Sequence, residues 1–520
     1  MLSLPVRKFS LAILSGFLLT AAFPSIDLHL AAWFSLVPLL IAIKGEPPLN
    51  AFKLGIVAGL AHYITLLYWI FNVISTYGGL NMFAGILILF LLCIYLSLYT
   101  GVFSFLVMNF IGSRIKIFLF AGFWTSLEYI RAEILTGFPW CLLGYSQFNQ
   151  NLLIQIADIT GVYGISFIIA AVNILIFILV SDIRKSIDKK YIFSEALLLA
   201  VIIALAVSYG SYRVKEYSGD AAVNKVLNIS IIQGNIDQAV KWDSKYEEDT
   251  IKKYLSLTEN TYDFNPDIII WPETSIPFFF QDNNDFTGVL YDIPKRSGAH
   301  FIFGSPSYRS EEREISYMNS AFSISPDGNL KGQYDKMHLV PFGEYVPLKK
   351  LLPFVHRLVP AAGDFSPGES LDPLVLNGIS SGILICYEAI FPEISRELTE
   401  KGARVLINIT NDAWFGLTSA PYQHLYMSIF RAIENRIPLI RSANTGFSGI
   451  ISPTGTVKAL GGLFTSESIT GNVRIEDHPL PFYSRFGDIF AHFILIICLI
   501  KTCFEISYRR FTAKRQKMKC

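Results

Sequence analysis

Two hydropathy patterns divide the chain. Long, nearly unbroken apolar runs fill residues 1–212 and return once near the C-terminus, while short apolar runs separated by polar and turn residues occupy the stretch between. A helix needs about 20 apolar residues to cross the hydrocarbon core of a bilayer. Runs at 9–25, 28–43, 54–74, 83–111, 117–130, 161–181, 193–211 and 486–504 predict about eight spans. The first has the look of a signal peptide, but another apolar run follows at once without a small-residue cleavage site, so it reads as a retained helix. Three regions follow: 1–212 with seven spans, 213–484 as a water-facing domain, and 485–520 as a last span with a basic tail.

The positive charges orient this frame. With Arg7 and Lys8 in the cytoplasm, so are Lys44 and Lys53, Arg114 and Lys116, Arg184 to Lys190, and the tail from Arg509 to Lys519. Arg131, Arg213 and Lys215 are minority exceptions on the other side. The large domain then lies outside the cytoplasm, which in a two-membrane bacterium is the periplasm. His62, Glu128, Asp488 and His492 lie in or near spans and are expected at an interface or paired within the bundle.

Inside the water-facing stretch, short strands alternate with helices. Apolar runs at 227–233, 267–271, 300–304, 382–386 and 404–408 read as strands covered on both faces. Residues 321–336 and the segment ISPTGTVKAL read as hairpins around Pro/Gly turns. Ser244 and Glu247 suggest a capping box for a helix with Ile251, Tyr254, Leu255 and Thr258 on one face, and 422–436 reads as a second helix. This is an α/β domain. Residues 342–370, rich in Pro and Gly yet carrying Leu351, Leu352 and Phe354, interrupt the alternation and read as a mobile apolar arm that admits a lipid.

Composition sharpens the picture in two places. Of the 520 residues 52% are hydrophobic and only 16% charged, and the net charge of +1 with no basic stripe points away from nucleic acid. Of six cysteines, Cys386 alone lies in the water-facing domain, so a structural disulfide is not expected there. No cysteine or histidine spacing resembles a metal site, and no cofactor is implied.

Three residues carry candidate chemistry: Glu273 in WPETSIP, Lys336 in YDKMHLVPFGEYVP and Cys386 in ICYEAIFPE, each at or near a strand end. Singly they read as a surface acid, a solvated lysine and a small buried hydrophobe. Together they offer a base, a cation and a nucleophile, the set an acyl transfer needs.

Those three motifs, in that order, resemble the Glu-Lys-Cys signature of the nitrilase superfamily, which implies an αββα sandwich and thioester chemistry. QGNIDQAVKWD (233–243), NDAWFG (411–416), TGFPW (136–140), GVYG (161–164), FYSRFGD (482–488) and the span frame narrow the likeness to the apolipoprotein N-acyltransferase family. Asp237 stands where that family often has proline, in a loop away from the three motifs. The resemblance implies Glu273 as base, Lys336 as oxyanion partner and Cys386 as nucleophile. Glu344 would assist Lys336, Trp242 would line the acyl or headgroup site, and Tyr387 and Glu388 would shape the pocket. It implies a phospholipid donor (phosphatidylethanolamine, at sn-1) and a diacylglyceryl-apolipoprotein acceptor. It also implies a multi-pass inner-membrane setting, in which a monomer needs no extra assumption. The alternatives are a membrane-tethered amidase using the same three residues, and a transporter or sensor for which Cys386 is dispensable.

Overall fold

A computed structural model describes residues 6–77, 81–113, 115–181, 189–217, 223–311, 314–345 and 365–517. Of the apolar arm expected at 342–370, residues 346–364 lie outside the described residues. The chain forms two compact units, one of residues 1–66, 90–210 and 488–520, the other of residues 67–89 and 211–487.

The first unit is helical. Across the described residues, five helices are long and apolar enough to cross a membrane: Pro48–Leu66, Met82–Asn109, Ile154–Val180, Lys189–Glu216 and Ile489–Ser507. The expected runs at 9–25 and 117–130 form shorter helices, Val6–Ala21 and Ile117–Glu133, and 28–43 forms a 3-10 turn followed by Val37–Ile43. Close helix contacts depend on small residues. A side chain at Gly55 would lie 2.5 Å from the Thr100 carbonyl, so the backbones there meet directly. Of the polar groups in this unit, His62, Glu128, Arg131 and His492 each have a partner. His62 Nδ1 lies 3.0 Å from Thr20 Oγ1, and the Leu143 N–H donates to Glu128 Oε1 at 2.7 Å. Arg131 donates to Tyr63 Oη at 2.6 Å, and His492 Nε2 lies 2.6 Å from Tyr129 Oη. Asp488 sits just before the last helix.

The second unit holds two six-stranded sheets. One has the order β12 (Glu467–Glu476), β1 (Val223–Gln233), β2 (Ile268–Ile270), β3 (His300–Glu311), β4 (Glu314–Ile324), β5 (Leu330–Asp335). The other runs β11 (Val457–Leu460), β10 (Gly449–Ile451), β9 (Leu439–Ala443), β8 (Val405–Thr410), β7 (Ile379–Ile385), β6 (Leu374–Leu376). In each, the central strands are parallel and the flanking ones antiparallel. The sheets face each other, β1 against β9 and β4 against β7. Helices Glu247–Glu259 and Thr287–Ser297 cover the first sheet, and Pro392–Glu400 and Ala420–Asn435 the second.

The outer face of the first sheet shows why. Ile251, Tyr254, Leu290 and Ile293 of the helices close over Ile269, Trp271, Phe301, Phe303 and Phe322. Tyr254 stacks on Trp271 at 4.8 Å. Burying a side chain of this size contributes roughly 1.5–3 kcal/mol. The helix begins differently from the expected capping box: the Asp243 side chain, not Ser244, accepts the Lys245 N–H.

The run at 54–74 is not one helix. Pro48–Leu66 ends, and a separate short helix, Trp69–Thr76, belongs to the second unit. Tyr68 Oη accepts the Ser419 N–H at 3.2 Å, and Trp69 Nε1 donates to Gln423 at 3.2 Å. Tyr77 donates to the Ala413 carbonyl at 3.2 Å. Trp69 and Tyr77 also meet Phe415 and Trp414 edge to face, each at 5.0 Å. These contacts brace loop 411–419 from one side.

Candidate active site

Three strands, two from the parallel centres and one edge strand, carry the candidate residues at their C-terminal ends. Glu273 follows β2, Lys336 follows β5 and Cys386 follows β7. All three are buried, at 6%, 1% and 8% exposure. Lys336 Nζ lies 2.9 Å from Glu344 Oε1 and 3.7 Å from Glu273 Oε1. Cys386 is linked to this cluster through Glu388, two residues on, which accepts the N–H of Met337 directly after Lys336.

Each group is set by its neighbours. Asn319, on β4, donates one amide to Glu273 Oε1 at 2.7 Å and to Glu344 Oε1 at 3.0 Å, and so bridges the two carboxylates. Glu344 Oε2 accepts the Val340 N–H at 2.8 Å, fixing the other end. Glu273 Oε2 has no hydrogen-bond partner among the described residues, which leaves one oxygen able to accept a proton. Gly304 on β3 makes room for this arrangement, since a Cβ there would sit 2.7 Å from the Glu273 Cα.

The charges divide the work. Burial raises the Glu273 carboxyl above its ordinary value and Glu344 adds to this, while Lys336, Asn319 and Lys241 oppose it. Burial works against the Lys336 ammonium, but Glu344, Cys386 and Glu273 hold it firmly protonated. Burial pushes the Cys386 thiol up to about 12, with Glu273 adding to it and Lys336 opposing. The resting thiol is therefore neutral, and a nucleophilic sulfur requires proton transfer to a base rather than a standing thiolate.

Cys386 sits at φ 55°, a left-handed conformation that costs a side-chain-bearing residue about 1–3 kcal/mol. Two braces hold this sharp turn. Glu388, fully buried, accepts the N–H groups of Ile385 at 2.7 Å, Met337 at 2.6 Å and His338 at 3.1 Å, and the Tyr334 hydroxyl at 3.1 Å. It thereby ties the turn at Cys386 to the chain just after Lys336. On the other side, His424 Nε2 lies 3.2 Å from the Cys386 carbonyl oxygen. A carbonyl only accepts, so Nε2 carries the hydrogen. Burial, and then the Arg441 charge, hold His424 below its ordinary pKa and favour the neutral ring. Arg441 donates to Asp412 Oδ2 at 2.8 Å and lies 3.0 Å from His424 Nδ1.

Tyr387 packs edge to face on Phe391 at 5.0 Å, and His338 stacks on the same ring. Trp242 is 51% exposed and stands apart from the buried cluster. Its neighbour Lys241 takes the inward position, with 2% exposure. Lys241 Nζ donates to Thr274 Oγ1 at 2.6 Å and to the Glu273 carbonyl at 3.2 Å. Sequence reasoning missed Lys241, Asn319, Asp412, His424 and Arg441. The polar Asn319-Ser320 pair entering an apolar strand, and a histidine on an apolar helix, were the available signals. Nothing in its surroundings marks Lys241.

Comparison with known proteins agrees with this architecture. Residues 15–175 match the family profile "Apolipoprotein N-acyltransferase N-terminal domain", and residues 228–478 match "Carbon-nitrogen hydrolase". The two-sheet unit is thus a nitrilase-like carbon-nitrogen hydrolase fold. A Geobacter metallireducens protein named apolipoprotein N-acyltransferase is 43% identical, covering 94% of this chain and 93% of its own length. A Haemophilus influenzae protein of the same name is 31% identical, covering 95% of this chain and 94% of its own length. With both regions matched and the likeness running nearly end to end, the chain belongs to the apolipoprotein N-acyltransferase family.

Proposed function

We propose that this protein transfers an acyl chain from the sn-1 position of a phospholipid, phosphatidylethanolamine in the simplest case, to the α-amine of a diacylglyceryl-cysteine at the N-terminus of an apolipoprotein. The carrying observation is the buried Glu273–Lys336–Glu344 cluster beside a neutral, strained Cys386, with Glu273 Oε2 open to a proton.

In the first half-reaction Cys386 Sγ attacks the ester carbonyl while Glu273 takes the thiol proton. Lys336 stabilises the tetrahedral oxyanion. The C–O bond breaks, the proton passes from Glu273 to the departing alkoxide, and a lysophospholipid leaves a thioester on Cys386. In the second, the amine attacks the thioester and Glu273 accepts its proton. The C–S bond breaks, and that proton returns to sulfur. Glu344 holds Lys336, and Glu388 and Tyr387 keep the nucleophile turn in shape. Trp242, exposed on the loop after β1, contacts the incoming lipid. The burial of Cys386 supports a site that keeps water from the thioester.

In this reading the chain crosses the inner membrane eight times. Residues 213–484 form the catalytic domain in the periplasm, the basic tail is cytoplasmic, and a monomer suffices. The test is the purified full-length protein with phosphatidylethanolamine labelled in its sn-1 chain. Mass spectrometry should find one acyl group on the Cys386 peptide, discharged by a diacylglyceryl-cysteine peptide and absent in Cys386→Ala. An unmodified Cys386, or acceptor acylation by Cys386→Ala, overturns the proposal. A reporter inserted near Ser310 should be exported, and one fused after Cys520 should stay in the cytoplasm.

A further inference from the structure

Among the described residues, Lys336 is the cation in ion-pair contact with the two carboxylates Glu273 and Glu344. A lone ammonium leaves such a cluster one negative charge in excess, and in a buried site that excess makes one carboxyl keep its proton. Lys241 reaches the cluster from the loop after β1. Its ammonium is buried and gives two of its three N–H bonds to the Glu273–Thr274 segment, at 3.2 Å and 2.6 Å. Thr274 lies at φ 45°, so this contact also fixes a backbone that would otherwise relax.

We infer that Lys241 is the second cation of the site, a positioning residue whose charge balances the two carboxylates and keeps Glu273 free to accept the Cys386 proton. The inference deepens the proposed function and rests on Glu273 serving as base. With Lys241 and Lys336 charged and both glutamates ionised, the four groups sum to zero. Moving a proton from Cys386 to Glu273 takes those four groups to +1 and the sulfur to −1, so the five together stay at zero and the step creates no uncompensated buried charge.

The other groups around Glu273 do not replace Lys241. Asn319 on β4 and the neutral Cys386 after β7 carry no charge, and burial lowers His338 to about 4. Glu388 is engaged with backbone donors, and Asp412 and Arg441 neutralise each other. Lys241 feels the pull of Glu273 and Cys386, although burial lowers it to about 8.

The test is the rate of iodoacetamide alkylation of Cys386 in the full-length protein, quantified on the Cys386 peptide between pH 4 and 9. Glu273 must be ionised to take the thiol proton, so the rate rises with pH through its titration. Removing a nearby cation raises that titration. Lys241→Gln keeps an N–H donor without the charge, and should move the acid limb up by about 1–2 pH units, slowing alkylation about 10- to 100-fold below the limb. Lys241→Arg should restore the wild-type limb. Thr274→Val removes the 2.6 Å hydrogen bond but leaves the ammonium, and should leave the limb in place.

A Lys241→Gln profile superimposed on wild type, or a Thr274→Val shift as large as the charge-removing one, overturns the inference. If Lys241→Gln does not fold, Lys241→Arg and Thr274→Val still decide, because a limb displaced in both points to a structural brace alone. A wild-type Cys386 that shows no acid limb at all would instead count against Glu273 as base, and so against the function proposed above.

Discussion

Replacing Asn319 by aspartate changes one NH2 to oxygen with almost no change in shape, and it reverses the logic of the site. The Asn319 amide donates to Glu273 Oε1 at 2.7 Å and to Glu344 Oε1 at 3.0 Å. Hydrogen bonds from a neutral donor to a carboxylate contribute about 1.5–3 kcal/mol each. A carboxylate oxygen in the amide's place, 2.7 Å from Glu273, would instead repel it by about 6 kcal/mol at an effective dielectric near 20. That exceeds the cost of binding a proton at neutral pH, so the new acid and Glu273 will share one as a coupled pair. The base is then occupied. Asn319→Asp should move the acid limb of Cys386 acylation up by 2 or more pH units, with acylation at pH 7 slowed at least about 100-fold. The assay is acyl-enzyme formation from labelled phospholipid, followed by mass between pH 5 and 9. Asn319→Ala, which removes the donor without adding charge, should shift the limb by only about 1 unit in the same direction. Wild-type acylation by Asn319→Asp at pH 7 would refute the reasoning.

Glu344→Gln should do the opposite: the Glu344 charge raises the Glu273 carboxyl, so its loss should lower the acid limb, by up to about 1 pH unit in the same assay. His424→Ala should cost about 1–3 kcal/mol by leaving the Cys386 carbonyl and the Arg441 guanidinium short of a partner. Thermal unfolding should show that loss, and kcat should fall while KM for the lipid holds. Gly304→Ala should also destabilise by about 1–3 kcal/mol, read by thermal unfolding, and lower acylation, because its Cβ would lie 2.5 Å from the Thr274 nitrogen and 2.7 Å from the Glu273 Cα, backbone atoms that cannot swing aside.

The sequence made some elements plain and hid others for identifiable reasons. The buried parallel strand β2 is a continuous apolar run and β7 and β8 each contain one, Ile383–Ile385 and Val405–Ile407, and the ends of β2 and β7 mark where Glu273 and Cys386 lie. β12 escaped notice because its buried positions, Ile469, Val473 and Ile475, are interrupted by Thr470, Gly471 and Asn472. The run at 54–74 looked like one span because hydropathy does not register the hydrogen bonds that hold Tyr68 and Trp69 to Ser419 and Gln423. At the site, Trp242 came from the family resemblance, while Lys241 was passed over because the ordinary rule turns lysines outward. The fold inverts that rule because the Glu273 carbonyl and Thr274 hydroxyl offer the lysine partners that solvent would otherwise provide.

The grouping of residues 67–89 with the two-sheet unit has a practical consequence for anyone wishing to study the hydrophilic half alone. A fragment excised at Ser211 discards Tyr68, Trp69 and Tyr77, and bares the ring faces of Trp414 and Phe415 that they cover. Those rings follow Asp412 closely in the chain, and Asp412 holds Arg441, which backs His424 and through it the Cys386 carbonyl, so such a truncation would be sticky and misaligned around Cys386. Grafting the 67–77 segment back, through a linker or as an added peptide, is the minimal repair the fold calls for.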